Sequence, residues 1–428
     1  MSRINKLRAL VSPAPGGNDA DQGVARRELW LARVALTAFF AVDGFVFAGW
    51  VVRIPDIKEQ TGASSSALGL ALLGVSVGAV VTMTLTGRLC QRFGNHRVTV
   101  AAGALLVASV ALPAHAGSAP ALGALLLVFG AGFGAVNVAA NSAAVELVAA
   151  LRRPVMPSFH AAFSLGGMLG AGLGALVADR LGAAPHLGLL AAVGLLVVAW
   201  AGRVLWRGDV GGATAADPGA RVPAASAPTT GGPAAVGGGG GRRGPVGWVV
   251  ALLGAIALCT TYGEGAMADW SALHLTETLG ADPGLAAAGY SVFALAMTVG
   301  RLTGSAQLAR LGTVRALVLG GALGAVGMTL GALAPVVWLA LVGFALTGLG
   351  LANVFPITIG AAGELAGPRG VAAASTVGYG GMLAGPVAIG FLADWFSLST
   401  ALTTVAALSA VAALTSWATR DALRGGGA

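Results

Sequence analysis

Residues 246–270 read VGWVVALLGAIALCTTYGEGAMADW. The stretch carries no charge until Glu264, then adds a second carboxylate at Asp269. A run this long and apolar fits a helix crossing the hydrocarbon core of a bilayer, which takes about 20 residues. The rest of the chain is built the same way. Of 428 residues, 56% are apolar and only 10% charged, and the mean hydropathy is +0.82. An ordinary soluble domain could not cover that much apolar surface. Comparable runs begin near Trp30, Ser66, Arg97, Ala121, Pro157, His186, Pro245, Pro283, Val314, Pro335, Val371 and Ser397. The expected fold is an all-α membrane protein with twelve transmembrane helices, because lipid offers no partner to an open backbone.

The net charge of +8 is explained by where the cations fall. With the N-terminus in the cytoplasm, the inner loops and tails collect the five Lys and Arg before Trp30, then Arg88, Arg92, Arg97, Arg152, Arg153, Arg203, Arg207, Arg221, Arg242, Arg243, Arg310, Arg315, Arg369, Arg420 and Arg424. Only Arg53, Lys58 and Arg180 fall outside. This bias predicts both termini in the cytoplasm and a multi-pass protein of the cytoplasmic membrane, and it needs no nucleic-acid partner. The pair Arg26-Arg27 imitates a twin-arginine signal, but the following stretch contains Asp43 and leads into eleven more spans, so an uncleaved first helix is expected. Cys90 and Cys259 sit in different spans and frame no disulfide.

Residues 208–244 are rich in Gly, Ala and Pro without apolar periodicity, as in a flexible linker. The chain therefore divides into a tail (1–29), a six-helix half (30–207), the linker (208–244), a second six-helix half (245–419) and a tail (420–428). The halves align. An offset of 218 places Gly62 on Gly280, Arg92 on Arg310, Gly94 on Gly312 and Arg97 on Arg315. Later, Gly166-Gly167-Met168-Leu169 matches Gly380-Gly381-Met382-Leu383, and these lead to Ala178-Asp179 and Ala393-Asp394. Parallel six-helix repeats point to a transporter with a midplane site between two rocking halves.

The stretch from Gly87 to Arg97, GRLCQRFGNHR, resembles the loop between helices 2 and 3 of the major facilitator superfamily, with Gln91 where that family usually has an acid. The segments WVVRIPDIKEQTG (50–62), NVAANSAAVE (137–146), SFHAAFSLGGMLGAG (158–172), EGAMADW (264–270), MTVGRLTG (297–304) and LANVFPITI (351–359) are similar to the fucose-permease and rhizopine-transport branch of bacterial carriers. The resemblance implies the two-half fold and a first-helix acid used for proton coupling. The expected cargo is a small polar, sugar- or polyol-like solute, the expected state a monomer, and Gly87, Arg92, Gly94, Glu146, Arg310 and Gly312, in the pseudo-equivalent cytoplasmic loops and at the cytoplasmic end of helix 4, are assigned to a cytoplasmic gate.

Polar residues inside the spans mark the candidate path. Asp43 lies mid-helix among Phe39, Phe40 and Phe47, where a carboxyl group with changing access to water can load and release a proton. Glu264 is its counterpart in the repeat, since Asp43-Gly44 and Glu264-Gly265 precede tryptophans by similar distances. Asp269 is about 140° further round that helix, so Asp269 and Trp270 are assigned to the outer mouth. Arg301 lies roughly 13 Å before Arg310 at helical rise, too deep to snorkel, and should face Asp43, Glu264 or a substrate. His160, Ser164, Asn137, Asn141, Asn353 and Tyr379 complete the candidate substrate cavity. Each also has a plainer reading as a packing or solvated group. Glu146 is placed to bridge Arg152 and Arg153.

The sequence contains no phosphate-cradling loop and no His/Cys cluster with metal spacing. The reading is a carrier, not an enzyme, without cofactor, moving a small polar solute with protons by alternating access. Proton-coupled efflux is the alternative, disfavoured because SLGGMLGAGLGA lacks the Gly-Pro of antiporter fifth helices. A non-transporting sensor or scaffold is the alternative of another class.

Overall fold

A computed structural model describes residues 19–151, 155–209 and 245–420. Most of the linker, the outermost tails, and Arg152 and Arg153 lie outside the described residues. Twelve helices among the described residues are long and apolar enough to cross a membrane. They are α1 (Arg26–Val51), α2 (Ser65–Phe93), α3 (Asn95–His115), α4 (Ala119–Val148), α5 (Ser158–Val177) and α6 (Ala183–Trp206), then α7 (Gly247–Thr278), α8 (Pro283–Gly304), α9 (Ala306–Ala332), α10 (Val337–Ala366), α11 (Ala373–Trp395) and α12 (Leu398–Ala418). A short surface helix, Ile54–Thr61, follows α1.

Local chemistry places the boundaries. Ser64 and Ser397 cap α2 and α12 by accepting from the amides of Ala67 and Thr400, and Pro283 occupies the first turn of α8, where its missing N–H costs nothing. Four glycines among the described residues have positive φ: Gly62 (60°), Gly94 (87°), Gly280 (62°) and Gly312 (71°). These are the two glycine pairs that the 218-residue offset superposes. Each repeat breaks its helices at the same two places, and only a residue without Cβ takes these backbone angles cheaply. Gly312 breaks the helical geometry within the run Pro283–Ala332 that holds α8 and α9.

Within the first half α1 packs on α5 and α2 on α4; α7 on α11 and α8 on α10 repeat this in the second. The halves meet along two seams, α2 against α11 and α5 against α8. The first seam is very close. A Cβ on Gly69 would run into the Pro386 carbonyl oxygen, and one on Gly390 into that of Ser65.

Both seams are latched at the end of the bundle opposite the termini, here termed the distal end. Asp179, after α5, accepts from the Gly284 amide at the start of α8 (3.1 Å). Asp394, at the end of α11, accepts from the amides of Ser65 (2.9 Å) and Ser66 (2.8 Å) at the start of α2. Each aspartate supplies a negative charge to the unsatisfied N–H groups of a helix in the other half. Lys58 and Glu277 add a cross-half ion pair at 2.6 Å. At the opposite, terminal end, Arg301, Leu302 and Thr303 of α8 and Ala306, Leu308, Ala309 and Arg310 of α9 are all exposed. The polar latches between the halves described above all lie at the distal end.

Candidate transport site

The charged centre lies on α7 and α8. An Arg301 Nη donates to both Glu264 carboxylate oxygens, at 3.2 and 3.4 Å, and its Nε donates to the Ala352 carbonyl at 3.3 Å. The sequence left Asp43 and Glu264 as alternative partners for Arg301; the structure pairs it with Glu264. Their side chains remain 47% and 30% exposed. Across the interface, His160 on α5 lies within electrostatic range of Arg301, and its Nε2 is buried without a hydrogen-bond partner.

Asp43 stands apart from this pair. It is 4% exposed and its Oδ1 has no hydrogen-bond partner. Aromatic rings surround its level: Phe40 stacks on Phe159 (5.4 Å) and meets the His160 ring edge-on (5.5 Å), while Phe47 stacks on Phe133 (5.1 Å). Because α1 and α4 run antiparallel, one turn back from Phe47 and one turn on from Phe133 bring Asp43 and Asn137 to the same level. Asn141 donates to the Asn137 carbonyl at 2.7 Å. Ser164 is half-buried one turn beyond His160.

Other expected cavity residues make contacts within their own half. Asn353 donates to the Gly300 carbonyl (2.9 Å) and to Gln307 (3.3 Å), tying α10 to α8. Its amide occupies the space that a side chain at Gly304 would need. Tyr379 meets Phe355 edge-on at 6.1 Å. Trp270, assigned to the outer mouth, is completely buried in the core, because the distal end is shut around it. Asp269 is half-buried.

At the terminal end Glu146 accepts from Asn95 at 2.8 Å, fastening the GRLCQRFGNHR loop to α4 of its own half. The expected bridge to Arg152 and Arg153 falls outside the described residues. Arg92 is exposed over the ring of Phe93 at 5.2 Å. Arg310 is exposed too, and Gly87 borders open space.

Two important residues escaped sequence reading. Arg53, counted as an outer-loop cation, is 1% exposed. It donates to His186 Nδ1 (2.8 Å), Asp56 (2.8 Å) and the Ala178 carbonyl (3.4 Å), joining the ends of α1 and α5 to the start of α6. Tyr290 on α8 lies within electrostatic range of Glu264, Arg301 and Asp269. The only trace of it in the sequence is its spacing of eleven residues from Arg301, which puts both on one face of a helix. Among the described residues, no three His, Cys, Asp or Glu side chains are grouped to hold a metal.

Two six-helix halves with an ion pair inside the spans have the architecture of a membrane carrier. The chain belongs to the Major Facilitator Superfamily, whose family model matches residues 34–268 and 253–425. It is 36% identical over 381 residues to an uncharacterized MFS-type transporter of Yersinia pestis, covering 88% of this chain and 92% of that protein. It is 27% identical over 393 residues to membrane protein MosC of Rhizobium meliloti, covering 90% and 89%. The fold is similar to that of the nucleoside transporter NupG (TM-score 0.68, 12% identity, 90% of this chain and 99% of that one). It is also similar to a D-xylose-proton symporter (TM-score 0.65, 16% identity, 90% and 96%). The protein is a multi-pass membrane transporter of small molecules, and its family and fold are not those of enzymes.

Proposed function

We propose that this chain is a proton-coupled importer of a small polar solute, sugar- or polyol-like, working by alternating access in the cytoplasmic membrane with both termini in the cytoplasm. The observation that carries this reading is the Glu264–Arg301 pair, which lies within two of the spans, stays 47% and 30% exposed on the Arg301 and Glu264 side chains, and is within electrostatic range of His160 of the other half. A balanced ion pair offers acceptors and donors to neutral hydroxyl groups without demanding a charged cargo. Asp43, desolvated and unpaired on one oxygen, has the surroundings of a group whose proton depends on which side water reaches it. The charge bias of the loops supports the assigned orientation, and the distal contacts would then be the outer gate.

The test is flux in proteoliposomes. Sugars and polyols are first screened for raising the thermal stability of the purified protein, and binders are then followed under an imposed proton gradient. Inward movement of protons that drives accumulation supports the proposal. Accumulation driven by the opposite gradient would establish efflux, and flux indifferent to the proton gradient would remove the coupling.

A further inference from the structure

The seam between α5 and α8 contains one large side chain among small ones. Ala48 and Val52 of α1, Ala171 and Ala175 of α5, and Ala287 of α8 form a cross-half apolar cluster, and Tyr290 packs against it. Ala48, Ala171 and Ala287 are essentially inaccessible, so the phenol ring fills the gap that these methyl groups leave between the halves. Phe293 supports the ring at a centroid distance of 6.3 Å. The other end of the same side chain addresses the charged centre. Tyr290 and Arg301 lie about 20° apart around α8 and roughly 16 Å apart along it. The phenol lies within electrostatic range of Arg301, Glu264 and Asp269 together.

We propose that Tyr290 is the residue that joins cargo recognition to closure of the distal mouth: its ring seals α8 against α1 and α5, and its hydroxyl forms the distal wall of the site for a hydroxyl-bearing solute. The cargo half of this assignment rests on the function proposed above; the sealing half does not. A solute that hydrogen-bonds the phenol holds the ring in its seat, so occupancy and distal closure reinforce one another. The alanines around the ring are part of the device, since a larger residue at Ala48 or Ala171 would displace it.

The experiment uses the full chain in lipid nanodiscs, with Cys90 and Cys259 replaced and spin labels at Ser118 and Pro335, in distal loops of opposite halves. Tyr290→Ala should shift the label–label distance toward longer values, whereas Tyr290→Phe should leave it unchanged. Tyr290→Leu, which keeps apolar bulk, serves if the alanine variant does not fold. In parallel, D-xylose and myo-inositol are titrated against thermal stability. Tyr290→Phe should weaken whichever of them stabilises the parent by about tenfold, the loss of one hydrogen bond to a buried site. An unchanged distance in both Tyr290→Ala and Tyr290→Leu overturns the seal, and unchanged affinity in Tyr290→Phe overturns the recognition role. If neither solute binds the parent protein, the polyol reading of the function fails, while the distance measurement still decides the seal.

Discussion

Replacing Asp394 by alanine removes the acceptor of two backbone amides at once, those of Ser65 and Ser66 at 2.9 and 2.8 Å. Both donors belong to the first turn of α2, in the other half of the protein, so the loss acts on the closure of the halves and not on either half alone. The carboxylate is exposed, and the amides it abandons find water, which limits the penalty to that of losing a helix cap, about 1 kcal/mol. That corresponds to roughly a fivefold change in the ratio of distally closed to distally open molecules. Asp179 receives a single amide, that of Gly284, so Asp179→Ala should have a smaller effect, and the double variant should sum the two because the seams are separate. Asp394→Asn keeps an acceptor oxygen but loses the charge that favours a helix N-terminus, a contribution of about 0.3–1 kcal/mol. The expected order of opening is therefore the double variant, Asp394→Ala, Asp394→Asn, then the parent. Distance distributions between spin labels at Ser118 and Pro335 report it directly. The reasoning is refuted if the double variant gives the parent distribution, or if Asp394→Asn opens the distal end as far as Asp394→Ala.

Asp43→Asn should abolish accumulation driven by a proton gradient while preserving exchange of solute between equilibrated compartments, and uphill accumulation by this variant would transfer the proton role to Glu264 or His160. Gly390→Leu must displace the Ser65 carbonyl, so it should hold the distal end open in nearly the whole population and stop net flux; retained closure by spin-label distance would contradict the close crossing of α2 and α11. His186→Ala leaves the Arg53 Nε without its acceptor in a site 1% exposed, at a cost of about 1–3 kcal/mol. It should lower the thermal midpoint more than His186→Gln, which retains an acceptor, and equal midpoints would show that Arg53 finds another partner. Raising salt should weaken distal closure through the Lys58–Glu277 pair, which contributes about 0.2–1 kcal/mol at an exposed rim; closure insensitive to salt in the parent but not in Lys58→Ala would contradict that.

The membrane class, the number of spans and the twofold repeat were legible in the residues themselves. Whether a segment can lie in lipid depends on its own composition and length, and where a helix must break depends on a residue such as Gly62 or Gly312 that tolerates positive φ. These are local properties, so the repeat could be aligned at Gly62/Gly280 and Gly94/Gly312 before any contact was known, and those four positions are where the backbone turns left-handed. The intramembrane cost of a charge likewise singled out Arg301 and Glu264. Tertiary structure alone decided what those residues meet. Asp179 and Asp394 were visible as landmarks of the repeat, but each finds its amides in the other half, 105 and 329 residues away, and chain spacing carries no information about such a crossing. Arg53 reads as a loop cation and is buried because α5 and α6 close over it. Tyr290 reads as one aromatic among apolar neighbours, and its place between the halves appears only when the small residues of α1 and α5 are brought against it. The faces that two halves present to each other depend on how the halves pack together, an arrangement to which every helix contributes and which no single segment encodes.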